Sequence, residues 1–560
     1  MGQYNSPGVF VQETVQQAQS PSFSTSSAAL VGPSLKGRLD CALFTNPLQF
    51  LTEYTLAGQV PLGSNFHYSA LAYLTQGTQL YVQRVISQVS TGGTPPTYPG
   101  ARIKISTSVQ ANLALASGAA STAFVPVSGN QDCFEIFAKD PGAWGNNIAV
   151  EINNINPTLN TFEIDVYLYN PYTGIVSSSP VESWTVSRAY QLNGYGIQQY
   201  LMTAINGFSQ YIVVADNLAY APTVLPKGQG TLLYLGVGTD GTVANDADIA
   251  QQWAQFTNEQ NFDVALLISG GNFGPLTQAA IQAVVDSRKD CLGLMDTPNL
   301  SFSGSVAIPS STVATNVVSF RQGSLGGYTS TAFNDQRLVM CSPWVKISDQ
   351  WNNQIVYVPA SGYIAAQIAY NDYVADVSNS PMGFNRGVLP VLGVATVYQQ
   401  GDRDTLYEAQ VNPIQLFRAS GTVLYGDKTL TTTPGIFSRI NTRRNIDFAE
   451  KALSIILQNY LGENNIPVTQ AKVTSDITTY LAGRAAAGAW NPIGPNGTND
   501  KGYAVVCNAT NNTPAVVSAN QLVVTVYLRP AQSINFIVLQ ANILDSSVSI
   551  QTLTSNGTLI

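Results

Sequence analysis

Ser361 stands in the run VPASGYIAA, where an apolar stretch meets a serine and a glycine. A serine on such a turn becomes a nucleophile when an imidazole takes its proton and a carboxylate orients that imidazole. The 560-residue chain holds one histidine, His67, inside the aromatic-rich run NFHYSALAYL and far from Ser361 in sequence. The region carrying Ser361 therefore has no proton acceptor of the usual kind. Gly362 then reads as a tight strand-to-helix turn, Ser361 as a helix cap and His67 as a core residue.

Other chemistries lack their residues. One histidine and five scattered cysteines (Cys41, Cys133, Cys291, Cys341, Cys507) with no CxxC give no zinc set. Those cysteines read as buried free thiols. The acidic run GTDGTVANDAD has the Asp density of a calcium loop without EF-hand spacing, and reads as a glycine turn followed by a helix capped by Asp246 or Asp248. No GxxxxGK[ST] phosphate loop occurs. The expectation is no catalytic residue, no metal and no cofactor.

Composition narrows the classes further. Charged residues make up 10% of the chain, against roughly 25% in ordinary soluble domains. Asn, Gln, Ser, Thr and Gly fill the gap, giving a polar, weakly charged surface that repels copies of itself poorly. The 25 Lys and Arg are scattered, so no nucleic-acid footprint forms. The start MGQYNSPGVFVQETV has no charged segment followed by an apolar run, and no run of 18 apolar residues exists, so neither a signal peptide nor a membrane span is expected. A surface-layer protein would need such an export signal.

Several elements are legible. Val9, Val11 and Val15 fall at a period of two, interrupted by Glu13, ahead of a polar tether, the pattern of a strand that pairs with another chain's sheet edge. Residues 22–88 alternate strands and helices. From about 131 to 215 short strands separated by turns suggest a β-sandwich. From about 229 to 400 strand and helix alternate again, and DVALLIS has the continuous apolar character of a buried parallel strand. RNIDFAEKALSIILQNYLG is the clearest helix, KVTSDITTYLAGRAAAGAW a second, interrupted near Gly483 and Gly488. INFIVLQANIL reads as a closing strand.

In this order the pieces resemble the contractile phage tail sheath family. YNSPGVFVQET is similar to its opening motif, SSAALVGPSLKG and QLYVQRV to the strands that follow, and AKDPGAWGNNIAVEI to the P-G-x-W-G-N signature of its β-sandwich. SPWVKI with VPASGYIAAQIA resembles the central domain. INTRRNIDFAEKAL and VYLRPAQSINFIVLQ resemble the C-terminal domain. Residues 89–130 and 299–335 match nothing in the family, and GFNRG (383–387) only loosely replaces a tryptophan- and proline-containing segment.

The resemblance implies an α/β and α+β multidomain chain with a subtilisin-like α/β sheath core, an inserted β-sandwich and an α+β C-terminal domain. Its layout would be an extended arm over 1–21, core over 22–88, insert over 89–225, subtilisin-like α/β domain over 226–400, C-terminal domain over 401–533, and a strand and tail over 534–560. The implied function is a structural, non-enzymatic subunit that polymerises helically, in hexameric rings, around a tail tube protein. Its contraction drives the tube through a target envelope. Baseplate and tail terminator proteins would be further partners, and neither nucleic acid nor membrane would be one. The chain would be assembled in the host cytoplasm and reside in the virion tail. A bacteriocin-like or extracellular contractile injection system is the alternative within this class, and a serine hydrolase or surface-layer protein the alternative outside it. The inter-subunit strands would be Gly8, Val9, Phe10, Val11 and Val15, with Ile534, Phe536, Val538 and Leu539. Arg443 and Arg444 would face an acidic strip on the tube. Cations at a helix start oppose its dipole, so an acidic partner is required somewhere.

Overall fold

A computed structural model describes residues 23–86, 100–106, 132–228, 230–240, 243–328, 332–535 and 537–539. Its body is a nine-stranded sheet. In chain order the strands are β1 (Ala28–Pro33), β2 (Ala42–Phe44), β3 (Leu80–Val85), β4 (Leu266–Ile268), β5 (Leu292–Met295), β6 (Leu338–Ser342), β7 (Val388–Leu389), β8 (Asn412–Phe417) and β9 (Gly421–Leu424). They lie side by side as β7-β9-β8-β6-β5-β4-β1-β3-β2. The six from β3 to β8 run parallel, and β2, β9 and β7 close the edges antiparallel.

Parallel strands need helices on both faces, and their side chains divide by a period of two. Ala28, Leu30, Leu266, Ile268, Leu292 and Leu294 point into one core, with helices α1 (Pro47–Tyr54), α2 (Asn65–Leu74) and α6 (Ser361–Val374). Ala29, Val31, Leu267, Met295, Leu338 and Met340 point into the opposite core, with α3 (Asp246–Trp253), α4 (Pro275–Arg288) and α5 (Ser310–Arg321). The result is a three-layer sandwich. At α3 the cap is Asn245, with Asp248 closing a capping box. Asp246 serves α4 instead, accepting from the amides of Leu276 and Thr277 at 2.7 and 3.0 Å.

The sheet corrects one expected boundary. The resemblance places residues 401–425 in the C-terminal domain, yet β8 pairs in parallel with β6 (Cys341 opposite Asn412) and β9 pairs with β8, so both belong to the large sheet. The separate C-terminal core begins on α7 (Ile440–Gln458). Ile446, Ala449, Leu453 and Ile456 pack there against Val473, Ile477 and Leu481 of α8 (Pro467–Ala486). β10 (Tyr503–Val506) and β11 (Thr525–Leu528) form an antiparallel pair over that core. Helix α8 runs straight through Gly483 and stops at Gly488, which has a positive φ.

Between β3 and β4 lies the insert. A three-stranded and a five-stranded sheet enclose one apolar cluster that includes Ile103, Phe134, Ile136, Ile164 and Val214. Its paired strands reach Tyr234, beyond the expected limit at 225. Arg84, at the end of β3, ties the insert to the body. The buried guanidinium donates to the carbonyls of Ser34, Gly37, Pro141 and Leu35 at 2.5–3.0 Å, and burial pushes its pKa down to about 10. Asn146 locks the other side, exchanging two hydrogen bonds with the backbone of Gly238 at 2.8 and 2.9 Å. The PGAWGN run therefore joins the insert to the body.

Candidate functional site: the serine–aspartate cluster and the roots of the chain ends

The enzyme reading turns on Ser361. Its amide and hydroxyl both donate to Asp296, at 2.9 and 2.5 Å. Asp296 follows β5 and also accepts from the Ser269 hydroxyl at 2.8 Å and the Gly271 amide at 2.9 Å. Four donors satisfy this fully buried carboxyl, whose pKa burial raises while the hydrogen bonds oppose the rise. Ser361 thus fastens the first turn of α6 to the carboxyl ends of β4 and β5. The turn residue is Ala360, and Ser361 is the first helical residue instead of the cap. Gly362 is required by proximity, since a Cβ there would lie 2.6 Å from the Ser69 carbonyl of α2.

His67 serves elsewhere. Its Nε2 lies 2.9 Å from the Tyr54 carbonyl, which only accepts, so this nitrogen carries the proton. Nδ1 then accepts from Ser64 at 2.7 Å. Both ring nitrogens are occupied, and burial lowers the pKa to about 4. The Ser34 hydroxyl, 3.4 Å from Nε2, faces a donor and finds no base. Among the described residues no cluster of His, Cys, Asp and Glu suits a metal ion, and no helix is long and apolar enough to cross a membrane. The five cysteines are free thiols, four of them buried and Cys41 half-buried.

Arg443 and Arg444 are not on the surface, contrary to the expected tube-facing role. Both are buried in the first turns of α7. Arg443 pairs with Asp447 at 2.6 Å and lies over the Phe437 ring. Arg444 grips Asp372 of α6 at 2.6 and 2.9 Å and donates to the Thr25 carbonyl at 2.9 Å. The acids required to offset the dipole come from within the chain.

Helix α7 also receives both ends of the described chain. At the amino end Phe23 packs on Phe448 with ring centroids 4.9 Å apart, under Lys451. Lys451 bonds to Asp263 at 2.6 Å, and Asp263 accepts from the Ser24 amide at 3.3 Å. At the carboxyl end Ser533 donates to Asp427 at 2.6 Å, and Asp427 binds Arg439, the residue just before α7, at 3.0 Å. Beyond this root Ile534, Ile537, Val538 and Leu539 are 77–88% exposed. Residues 534, 535 and 537–539 have no assigned secondary structure, and the rest of the expected closing strand, 536 and 540–544, lies outside the described residues. Gly8, Val9, Phe10, Val11, Val15 and Phe536 lie outside the described residues. What sequence reasoning missed is Asp427, buried in the motif LYGDKTL, whose side-chain partners lie 12 to 106 residues away.

The fold is that of the sheath proteins of contractile systems. It superposes on the sheath tail protein of Desulfitobacterium hafniense with a TM-score of 0.52 at 12% identity, covering 89% of this chain and 93% of that one. It also matches an extracellular contractile injection system, the PVC sheath complex in the contracted state, with a TM-score of 0.51 at 14% identity over 98% and 99%. In sequence, it is 33% identical over 329 residues to the tail sheath protein of Enterobacteria phage T4, covering 56% of this chain and 47% of that protein. With the tail sheath protein of Vibrio phage KVP40 it shares 38% over 192 residues, 34% and 27% of the two chains. No family model matches. The chain spans about half or less of the length of these phage relatives. The sequence similarity and the fold likeness both point to tail sheath proteins.

Proposed function

We propose that the chain is a structural, non-enzymatic sheath subunit that polymerises helically around a tail tube and contracts to drive the tube through a target envelope. The sequence relationship to the T4 tail sheath protein over 329 residues carries this reading. An open helix needs identical subunits in head-to-tail contact. The exposed apolar residues after the carboxyl root and the two-stranded β10–β11 sheet supply parts for it: a strand to donate and a short sheet to receive one. Residues 8–15 would donate the second strand. The α/β body is the subtilisin-like core of this reading, and the insert its peripheral sandwich. The tube, baseplate and terminator proteins would be the partners, with hexameric rings as the repeating unit, assembled in the host cytoplasm into a virion tail.

A sheath of an extracellular injection system is the second reading, since the fold is shared with the PVC sheath over 98% of this chain. Negative-stain microscopy of the purified protein tests the common core of both readings. Tubes of uniform width are expected, and persistent monomers under all assembly conditions would sink it. The neighbouring genes separate phage from injection system.

A further inference from the structure

Five side chains at the carboxyl root form an unbroken run of hydrogen bonds from a cation to an anion. Arg439 donates to the Tyr407 hydroxyl. Tyr407 donates to Asn535 Oδ1 at 2.9 Å, the Asn535 amide donates to Ser533 Oγ at 3.2 Å, and Ser533 donates to Asp427 Oδ2 at 2.6 Å. Arg439 closes the ring on Asp427 Oδ1 at 3.0 Å. The four bonds from Arg439 through Tyr407, Asn535 and Ser533 to Asp427 all run donor to acceptor in one direction, the arrangement in which successive hydrogen bonds polarise and strengthen one another, while the direct bond from Arg439 to Asp427 closes the ring in the opposite sense. Asp427 is fully buried and also accepts from Ser380 at 3.0 Å. The Asp427 carbonyl accepts the Ile440 amide at 2.8 Å, fixing it to the start of α7.

Two of the five residues, Ser533 and Asn535, belong to the terminal segment, and three belong to the body. Ile534 between them is 77% exposed, so apolar burial does not hold the segment at that point. Ile537, Val538 and Leu539 beyond it are 82–88% exposed. We propose that Asp427, Tyr407 and Arg439 form a polar latch that fixes where and in what direction the carboxyl-terminal segment leaves the body. The latch deepens the sheath reading above, because a strand donated to a neighbour must leave at a defined point. The latch itself is a property of the single subunit. Its bonds are polar and few, so it holds the segment in one direction yet releases without disturbing the apolar cores.

Cutting the latch from the body side is uninformative, since Asp427→Asn also removes the charge that half-buried Arg439 pairs with and risks the fold. The tail-side changes Ser533→Ala and Asn535→Ala leave Asp427 its bonds to Arg439 and Ser380. The full-length subunit carrying Val538→Cys is labelled with a nitroxide, and protein without the added cysteine supplies the blank for the native thiols. With the latch intact the label shows restricted motion. In the Ser533→Ala, Asn535→Ala protein the released fraction rises about tenfold or more, the scale of one charge-assisted hydrogen bond. Tyr407→Phe gives a smaller rise. The thermal midpoint of the body stays unchanged. Identical spectra in all three proteins overturn the latch. Because the label is read on free subunits, a protein that never forms tubes but shows these spectra overturns only the sheath reading.

Discussion

Arg444 and Asp372 are joined by two nearly parallel hydrogen bonds, 2.9 and 2.6 Å long, with both side chains about 5% exposed. The pair bolts α7 to α6, and its third donor bond reaches the Thr25 carbonyl, where the amino-terminal segment begins its run into β1. A planar guanidinium matches a carboxylate in this way and an ammonium does not. A buried pair broken on one side leaves an uncompensated charge, at a cost of about 3–5 kcal/mol. Arg444→Ala should therefore lower the thermal midpoint sharply, and Arg444→Lys should recover only part of it. Joint replacement by Met at 444 and Leu at 372 should recover most, because it removes both charges. Calorimetry of the four proteins checks the order.

The acid side of the stability profile should contain two opposing slopes. His67 has its pKa pushed from 6.5 down to about 4 by burial, so between those values the unfolded chain binds the extra proton and stability is lost as pH falls. Asp140 has its pKa raised from 3.8 to about 6, by burial first and the charge of Glu53 second, with Arg84 and Lys139 opposing. There the folded chain binds the extra proton, and stability is lost as pH rises. Each is worth on the order of 3 kcal/mol, so they nearly cancel from pH 4 to 6. The stability difference between the parent and His67→Gln should grow by about 3 kcal/mol from pH 4 to 6.5, and the difference for Asp140→Asn should change with the opposite sign. Denaturant titrations at three pH values measure both, and a pH-independent His67→Gln difference contradicts the buried neutral imidazole.

Much of the fold was legible because local signals and the buried sheet agree. DVALLIS and LMDTP mark β4 and β5, NFHYSALAYL marks α2, and the short strands of the insert end at turn residues. What failed was pairing across long separations. The strand NPIQLF carries no mark that it joins β6, some 70 residues earlier, and so the domain boundary fell too early. The doublet Arg443–Arg444 is surface-like in composition, and only the arrival of Asp372 from α6 and Asp447 one turn on buries it. The missing histidine marks Ser361 as structural, but its partner, Asp296, lies 65 residues away just after β5. Asp427 gave no local signal, since its role depends on Ser533 and Asn535 returning from the end of the chain.

Gly142 should tolerate no side chain. Its φ is +127°, and a Cβ would stand 2.9 Å from the Leu35 carbonyl, 3.0 Å from Asp240 and 3.1 Å from the Arg84 guanidinium. Those three groups join the insert to the body, so strain there is relieved by loosening the joint. Gly142→Ala is expected to cost about 1–3 kcal/mol and to speed proteolysis near 140 and 238 while the α7–α8 core keeps its protection. Hydrogen exchange resolved by peptide distinguishes this local loosening from general destabilisation.

Ser361→Ala should abolish no activity and should cost stability. The hydroxyl contributes one bond to a buried carboxyl that keeps three others, so a loss of about 1.5–3 kcal/mol is expected. Asp296→Ala should cost more, because it orphans two hydroxyls and two amides at once. Ester hydrolysis by the parent that disappears in Ser361→Ala would falsify the structural assignment of this cluster.

The amino-terminal arm gives the sharpest test of assembly, because its removal need not touch the body. The described anchors of that end begin at Phe23, on Phe448 and Lys451, and continue through Ser24 and Thr25. Deleting residues 1–15 leaves all of them, so the thermal midpoint should match that of the full chain. Tube formation should nonetheless be lost, since Gly8, Val9, Phe10, Val11 and Val15 would be the strand given to a neighbour's sheet and main-chain hydrogen bonds would be the contact that propagates. Phe23→Ala should behave differently. It opens the anchor itself, weakens the packing over α7, and lowers the midpoint while leaving the strand residues in place. Microscopy and calorimetry on the two proteins separate the roles. Tubes of normal length from the 1–15 deletion would remove the arm from the mechanism and leave assembly to the contacts of the folded body.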